Sequence, residues 1–137
     1  MSWQVYALCG AVFASLTTIL TKLGLQNIDS NLATAVRTLV VLLLASGIVL
    51  FQGTWKTLPQ IPKTTYGFLI AAGLATGFSW LFFFRALQLG DASKVMPLDK
   101  LSLAITIVLA GVILHEHITW RIALGVTLMV VGAVLAR

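Results

Sequence analysis

Five apolar runs separated by short polar joints account for almost the whole chain: residues 3–21, 32–51, 66–87, 95–114 and 120–136. A helix crossing the roughly 30 Å hydrocarbon core of a bilayer needs about 20 apolar residues at a rise of 1.5 Å each, and every run reaches or approaches that length. Hydrocarbon offers no partner for backbone N–H and C=O groups, so each run is predicted to be helical. The joints carry breaking and capping residues. Asn27, Asp29, Ser30 and Asn31 separate the first two runs, and Ser30 or Asn31 can cap the second. Residues 53–63 form the longest joint and hold Trp55, Lys56, Pro59, Pro62 and Lys63, a composition that predicts a surface crossing without helix. The joint 88–94 is short enough to permit only an antiparallel helical hairpin. Asp91 or Ser93 can cap the fourth run, with Pro97 tolerated near its first turn, and Thr119 can cap the fifth.

Composition fixes the solvent. The chain is 59% hydrophobic and only 9% charged, with a mean hydropathy of +1.01, whereas soluble domains carry about 25% charged residues. Too little polar surface remains to coat a water-soluble globule. The pattern implies an all-α integral membrane bundle of five transmembrane helices, a single domain over 1–137, with the lipid bilayer as its surroundings and the inner cell membrane as its expected place. The first run lacks a basic leader and a small-residue cleavage site, so it is expected to be a retained span. A net charge of +5 raises nucleic acid as a partner, but the Lys and Arg residues stand singly between apolar runs and form no basic stripe, which argues against one. Cys9 is the only cysteine and sits in an apolar run, so neither a disulfide nor a metal site is expected of it.

The densest group of ionisable residues, Arg85, Asp91, Lys94, Asp99 and Lys100, abuts the joint between the third and fourth runs. An ionisable residue within a span is a functional candidate. Arg85 either contacts substrate or pairs with Asp91 or Asp99. Lys100 stands beside Asp99 at the head of the fourth run, where the helix dipole favours the carboxylate and not the ammonium, which makes Lys100 the more suggestive. Arg37 lies about one turn inside the second run and either snorkels to the interface or binds an anion or the carboxylate of a zwitterion. In the third run Gly73 and Gly77 form a GxxxG pair whose face continues to Trp80 and Phe84. That face is either a packing surface with lipid-facing rings or the aromatic wall of a cavity. Ser15, Thr18 and Lys22 share a face of the first run, where hydroxyls either bond to carbonyls one turn back or line a wet cavity. Gly125 and Gly132 share a face of the last run with Ala136, which reads as a helix–helix contact strip suited to a dimer. His115, Glu116 and His117 resemble a metal cluster, but alternate residues do not share a helix face and no further ligand is near, so an interfacial turn is expected and no cofactor. No nucleophile–base–acid set occurs at workable spacing, which argues against an enzyme.

The run from Arg85 to the end of the last span resembles the EamA-type repeat of the drug/metabolite transporter superfamily. The matching residues are Ala86, Leu87, Gly90, Ala92, Ser93, Val95, Pro97, Leu98, Glu116, Trp120, Gly125 and Gly132, and earlier in the chain Lys22-Leu-Gly-Leu and Arg37 fit as well. Most relatives carry two such repeats in opposite orientation, and this chain holds one. The resemblance therefore implies a single-repeat transporter completed by a partner chain. The last-span glycines are similar to the dimerisation strip of small multidrug resistance proteins, but the first span lacks the glutamate those proteins use, so their proton exchange is not implied. In the turn before Glu116, relatives often place glycine where His115 stands here.

These readings converge on a transporter of a small organic metabolite, such as an amino acid or organic acid, working by alternating access as a homodimer. Trp80 and Phe84 would stack on it, Arg37, Arg85 and Lys100 would hold its anionic group, and Ser15 and Thr18 would donate hydrogen bonds. A lipid-linked sugar flippase, one subunit of a hetero-oligomeric carrier, and a non-transporting membrane scaffold are the alternatives. Orientation follows loop Lys and Arg. Lys56, Lys63 and Arg121 fall on the N-terminal side and Lys22, Lys94 and Arg137 on the other, with Arg37, Arg85 and Lys100 leaning the balance only slightly. So weak a bias permits insertion both ways and an antiparallel pair. Topology reporters fused to the C-terminus are expected to give signal from both faces of the membrane; signal from one face alone would rule out the inverted dimer.

Overall fold

The computed structural model describes residues 2–136; Met1 and Arg137, one of the orientation-setting cations, lie outside the described residues. The described chain is helical throughout its apolar runs. Helix α1 covers Trp3–Gly24, α2 Ser30–Gln52 and α3 Lys63–Leu89. Helices α4 (Ala92–Asp99), α5 (Ser102–Ile113) and α6 (Trp120–Leu135) follow. Three single helices and the composite stretch Ala92–Ile113 are each long and apolar enough to cross a membrane. Helix α6, with 16 residues, extends about 24 Å and is the short member. The protein is thus an all-α, multi-pass membrane bundle.

Three details differ from the sequence expectation. The cap of α2 is Asp29, whose carboxylate accepts from the N–H groups of Asn31 and Leu32 at 2.8 and 3.2 Å, and not Ser30 or Asn31. Its charge also complements the helix dipole, which neither neighbour's side chain does. The joint 53–63 is not free of helix: Thr54–Gln60 forms a 3-10 helix and α3 already starts at Lys63. Gly53, at φ 71°, ends α2 in the left-handed conformation and returns its N–H to Leu50 O at 3.1 Å. Tyr66 then ties the 3-10 helix to α3 by donating its phenol to Leu58 O at 2.8 Å. Finally, the fourth run is two helices. Pro97 has no N–H to give, and the chain passes through Lys100 and Leu101 with Leu101 N–H bonding to Leu98 O, and Leu103 N–H to Lys100 O, both at 3.0 Å. These short-reach bonds replace a regular α ladder.

By its internal contacts the chain forms two compact units, Met1–Gln88 and Leu89–Arg137. In the first unit the buried side chains gather at one end, where the C-terminal part of α1, the start of α2 and the end of α3 meet. They are Thr18, Leu25, Ser30, Thr34, Phe84 and Leu87. Away from that junction, residues 3–16 of α1, 38–52 of α2 and 63–76 of α3 are all left uncovered. The helices close on one another at one end and stand apart at the other. The second unit is organised by α6, on which both α4 and α5 pack. Ala133 is its buried residue, flanked on the same face by half-buried Val126 and Val130. The turn from α5 to α6 is closed by Glu116 N–H bonding to Ala110 O at 3.3 Å, with Ile118 pressed so closely on Gly111 that a Cβ there would lie 2.7 Å from its Cδ1.

His115 in that turn has φ 54°, a left-handed conformation that costs a residue with a Cβ roughly 1–2 kcal/mol. His115→Gly is expected to stabilise the protein by about 1 kcal/mol, read as a raised midpoint in thermal unfolding of the purified protein.

Candidate substrate site

The first unit carries an open cavity of about 390 Å³ near its closed end. Helix α1 contributes Thr17, Leu20, Thr21 and Gly24, one continuous face at helical spacing, and Ile28 adds the following loop. Helix α2 contributes Ala33, Val36 and Arg37, and α3 contributes Phe84. The wall is mostly apolar, and among the described residues Arg37 is its one ionisable side chain. Arg37 lies seven residues into α2, about 10 Å along the helix axis. Its guanidinium carbon stands 4.3 Å from the centroid of the Trp80 ring and 5.2 Å from that of Phe84. Two aromatic faces thus hold the cation, an arrangement worth about 2 kcal/mol where water is excluded. Among the described residues Arg37 has no carboxylate partner and no hydrogen-bond acceptor, so its donors remain available to a ligand.

The junction beside this cavity is fastened by side chains that satisfy backbone carbonyls. Lys22 Nζ donates to Leu87 O at 2.6 Å, near the end of α3, where a cation is favoured by the helix dipole. Gln88 Nε2 donates to Ile28 O at 2.9 Å, and Arg85 in turn donates to Gln88 Oε1 at 2.7 Å. Arg85 therefore has an amide partner, while Asp91 and Asp99 are engaged by Lys94 at 3.5 Å and Lys100 at 3.3 Å.

Of the residues singled out from sequence, Arg37, Trp80 and Phe84 come together. Arg85 does not join them: it borders a separate recess with Asp29, Ser30, Asn31, Leu81 and Phe82. Ser15 and Thr18 bond to Ala11 O and Ala14 O, each at 3.0 Å, and Thr18 is buried. Thr18, with Lys22 and Leu25, packs at the junction while Ser15 is exposed; the cavity instead takes the neighbouring face of Thr17, Thr21 and Gly24. Lys100 belongs to the second unit, at the joint between α4 and α5. The glycines of the proposed contact faces are open: a Cβ at Gly73, Gly77, Gly125 or Gly132 would meet nothing within 4 Å. Gly125, Gly132 and Ala136 lie roughly a quarter-turn around α6 from its packed face.

Residues 1–137 match the EamA-like transporter family. The chain belongs to that family. An uncharacterized transporter of Sinorhizobium sp, described as lying in the cobO 3' region, is 45% identical over 134 residues, which cover 98% of this chain and 95% of that protein. This EamA-like chain and its relative are thus similar over their whole single-repeat length. No solved structure matches the chain. Family membership and the apolar helices together make it a membrane transporter.

Proposed function

We propose that this EamA-like protein moves a small organic metabolite, an organic acid or amino acid, across the inner cell membrane by alternating access as a homodimer. The observation that carries the reading is Arg37: a guanidinium held inside a span by two rings, facing a cavity of metabolite size, with its donors unspent. Guanidinium matches a carboxylate in charge and in geometry. Thr17 and Thr21 line the same cavity, although the Thr17 hydroxyl already bonds to Phe13 O at 2.8 Å.

The second copy is supported by what one chain leaves bare. Much of each helix in the first unit is uncovered, Gly73 included and Gly77 half so, and the strip of Gly125, Gly132 and Ala136 in the second is exposed. Small residues of this kind allow close helix approach in lipid, where packing and not apolar burial drives association.

The test is uptake of labelled organic and amino acids into proteoliposomes containing the purified protein alone. Arg37→Ala should lower initial uptake by about tenfold or more, the equivalent of one charge-assisted hydrogen bond, whereas Lys94→Ala, at an exposed ion pair, should leave it within about twofold. Gly132→Leu should convert dimer to monomer in a lipid environment and abolish uptake. Retention of a phospholipid-linked sugar without solute uptake would point to a flippase; absence of both would point to a scaffold.

A further inference from the structure

We propose that Arg37 is a resident cation: it fills the aromatic slot formed by Trp80 and Phe84, and so shuts organic cations out while turning the site toward monocarboxylates with an apolar body. The inference rests on the transporter reading above and narrows its substrate class.

Three observations carry it. The guanidinium carbon stands 4.3 and 5.2 Å from the two ring centroids, within the distance at which a ligand cation would be held by the same rings. An incoming ammonium or guanidinium would therefore have to displace a tethered group of the same charge from the same faces, and like charge would oppose its approach. Arg37 also borders the cavity, so the slot it occupies is continuous with the space a ligand enters. Lastly, the described residues of the cavity wall include no Asp or Glu. An amino acid's ammonium would find no counter-charge there, whereas a carboxylate would meet the planar donor fork of Arg37 and an apolar tail would meet Leu20, Ile28 and Val36. Trp80 and Phe84 then act as positioning residues for Arg37 and do not stack on the substrate.

The geometry makes a reciprocal demand: removal of the arginine side chain should convert an anion site into a cation site. The full chain is placed in lipid nanodiscs with Trp3, Trp55 and Trp120 replaced by Phe, so that Trp80 alone reports, and is titrated with benzoate and with methylguanidinium. In the parent protein benzoate should change Trp80 fluorescence and methylguanidinium should not. In Arg37→Ala benzoate binding should be lost and methylguanidinium should bind at least about tenfold more tightly than to the parent. Millimolar methylguanidinium should then restore benzoate binding by replacing the missing group. Arg37→Lys keeps the charge and serves as the variant least disturbing to the fold. It should still exclude methylguanidinium, yet bind benzoate about tenfold more weakly because the planar fork is gone.

The proposal is overturned if the parent binds methylguanidinium as well as Arg37→Ala does. It is equally overturned if folded Arg37→Ala gains no affinity for the cation, or if Arg37→Lys admits it. Should any of these occur while the parent still takes up organic acids in proteoliposomes, the transporter reading stands and the resident-cation inference alone falls. A parent that neither binds benzoate nor takes up any organic acid removes both.

Discussion

A charge carried into hydrocarbon has to be held by something, and in this protein the holders are two aromatic faces. Arg37 lies about two turns inside α2, and its guanidinium is turned onto Trp80 and Phe84 of α3. That choice positions α3 against α2 at one end of the first unit, because Phe84 is also among its most buried side chains. The cavity forms beside the same contact. Packing, electrostatics and the site thus share one set of atoms, and a change at Arg37 acts on all three.

Around this contact, polar side chains complete what the helix ends leave undone. The last carbonyls of a helix have no partner within it. Lys22 reaches the carbonyl of Leu87 and Gln88 reaches that of Ile28, so the closed end of the first unit is joined by hydrogen bonds as well as by its few buried apolar groups. At the opposite end Tyr66 ties α3 to the 3-10 helix through Leu58 O, but the long helices themselves are little covered. Their apolar side chains stand uncovered along much of each helix, which suits lipid or a second protein surface and would be untenable in water.

Much of this was legible in the chain. Hydrophobic run length fixes the spans because hydrocarbon thickness is a fixed ruler, and the shared face of Gly73, Gly77, Trp80 and Phe84 follows from helical periodicity. The face of α1 that meets the cavity was not. Hydroxyls at positions 15, 17, 18 and 21 populate two adjacent faces, and periodicity does not choose between them without the neighbouring helices. The carbonyl acceptor of Lys22 is equally invisible, since it lies 65 residues away and a backbone carbonyl has no sequence signature. Asp29, Ser30 and Asn31 are all good capping types, so sequence alone did not choose among them; the helix starts at Ser30, with Asp29 accepting from its first free N–H groups. For Arg85 the sequence offered substrate or a carboxylate of the following joint, and the side chain instead bonds to an amide one turn along its own helix, a pairing that i, i+3 spacing permits.

The interruption between α4 and α5 changes how that stretch responds to force. A continuous helix bends only by stretching many bonds in parallel, whereas here the connection narrows to a few short-reach bonds around Pro97 and Leu101. Elastic compliance is therefore concentrated at one point of the crossing. The two rods on either side stay stiff, and a small torsional change at Lys100 and Leu101 swings the far end of α5 through a distance proportional to its length.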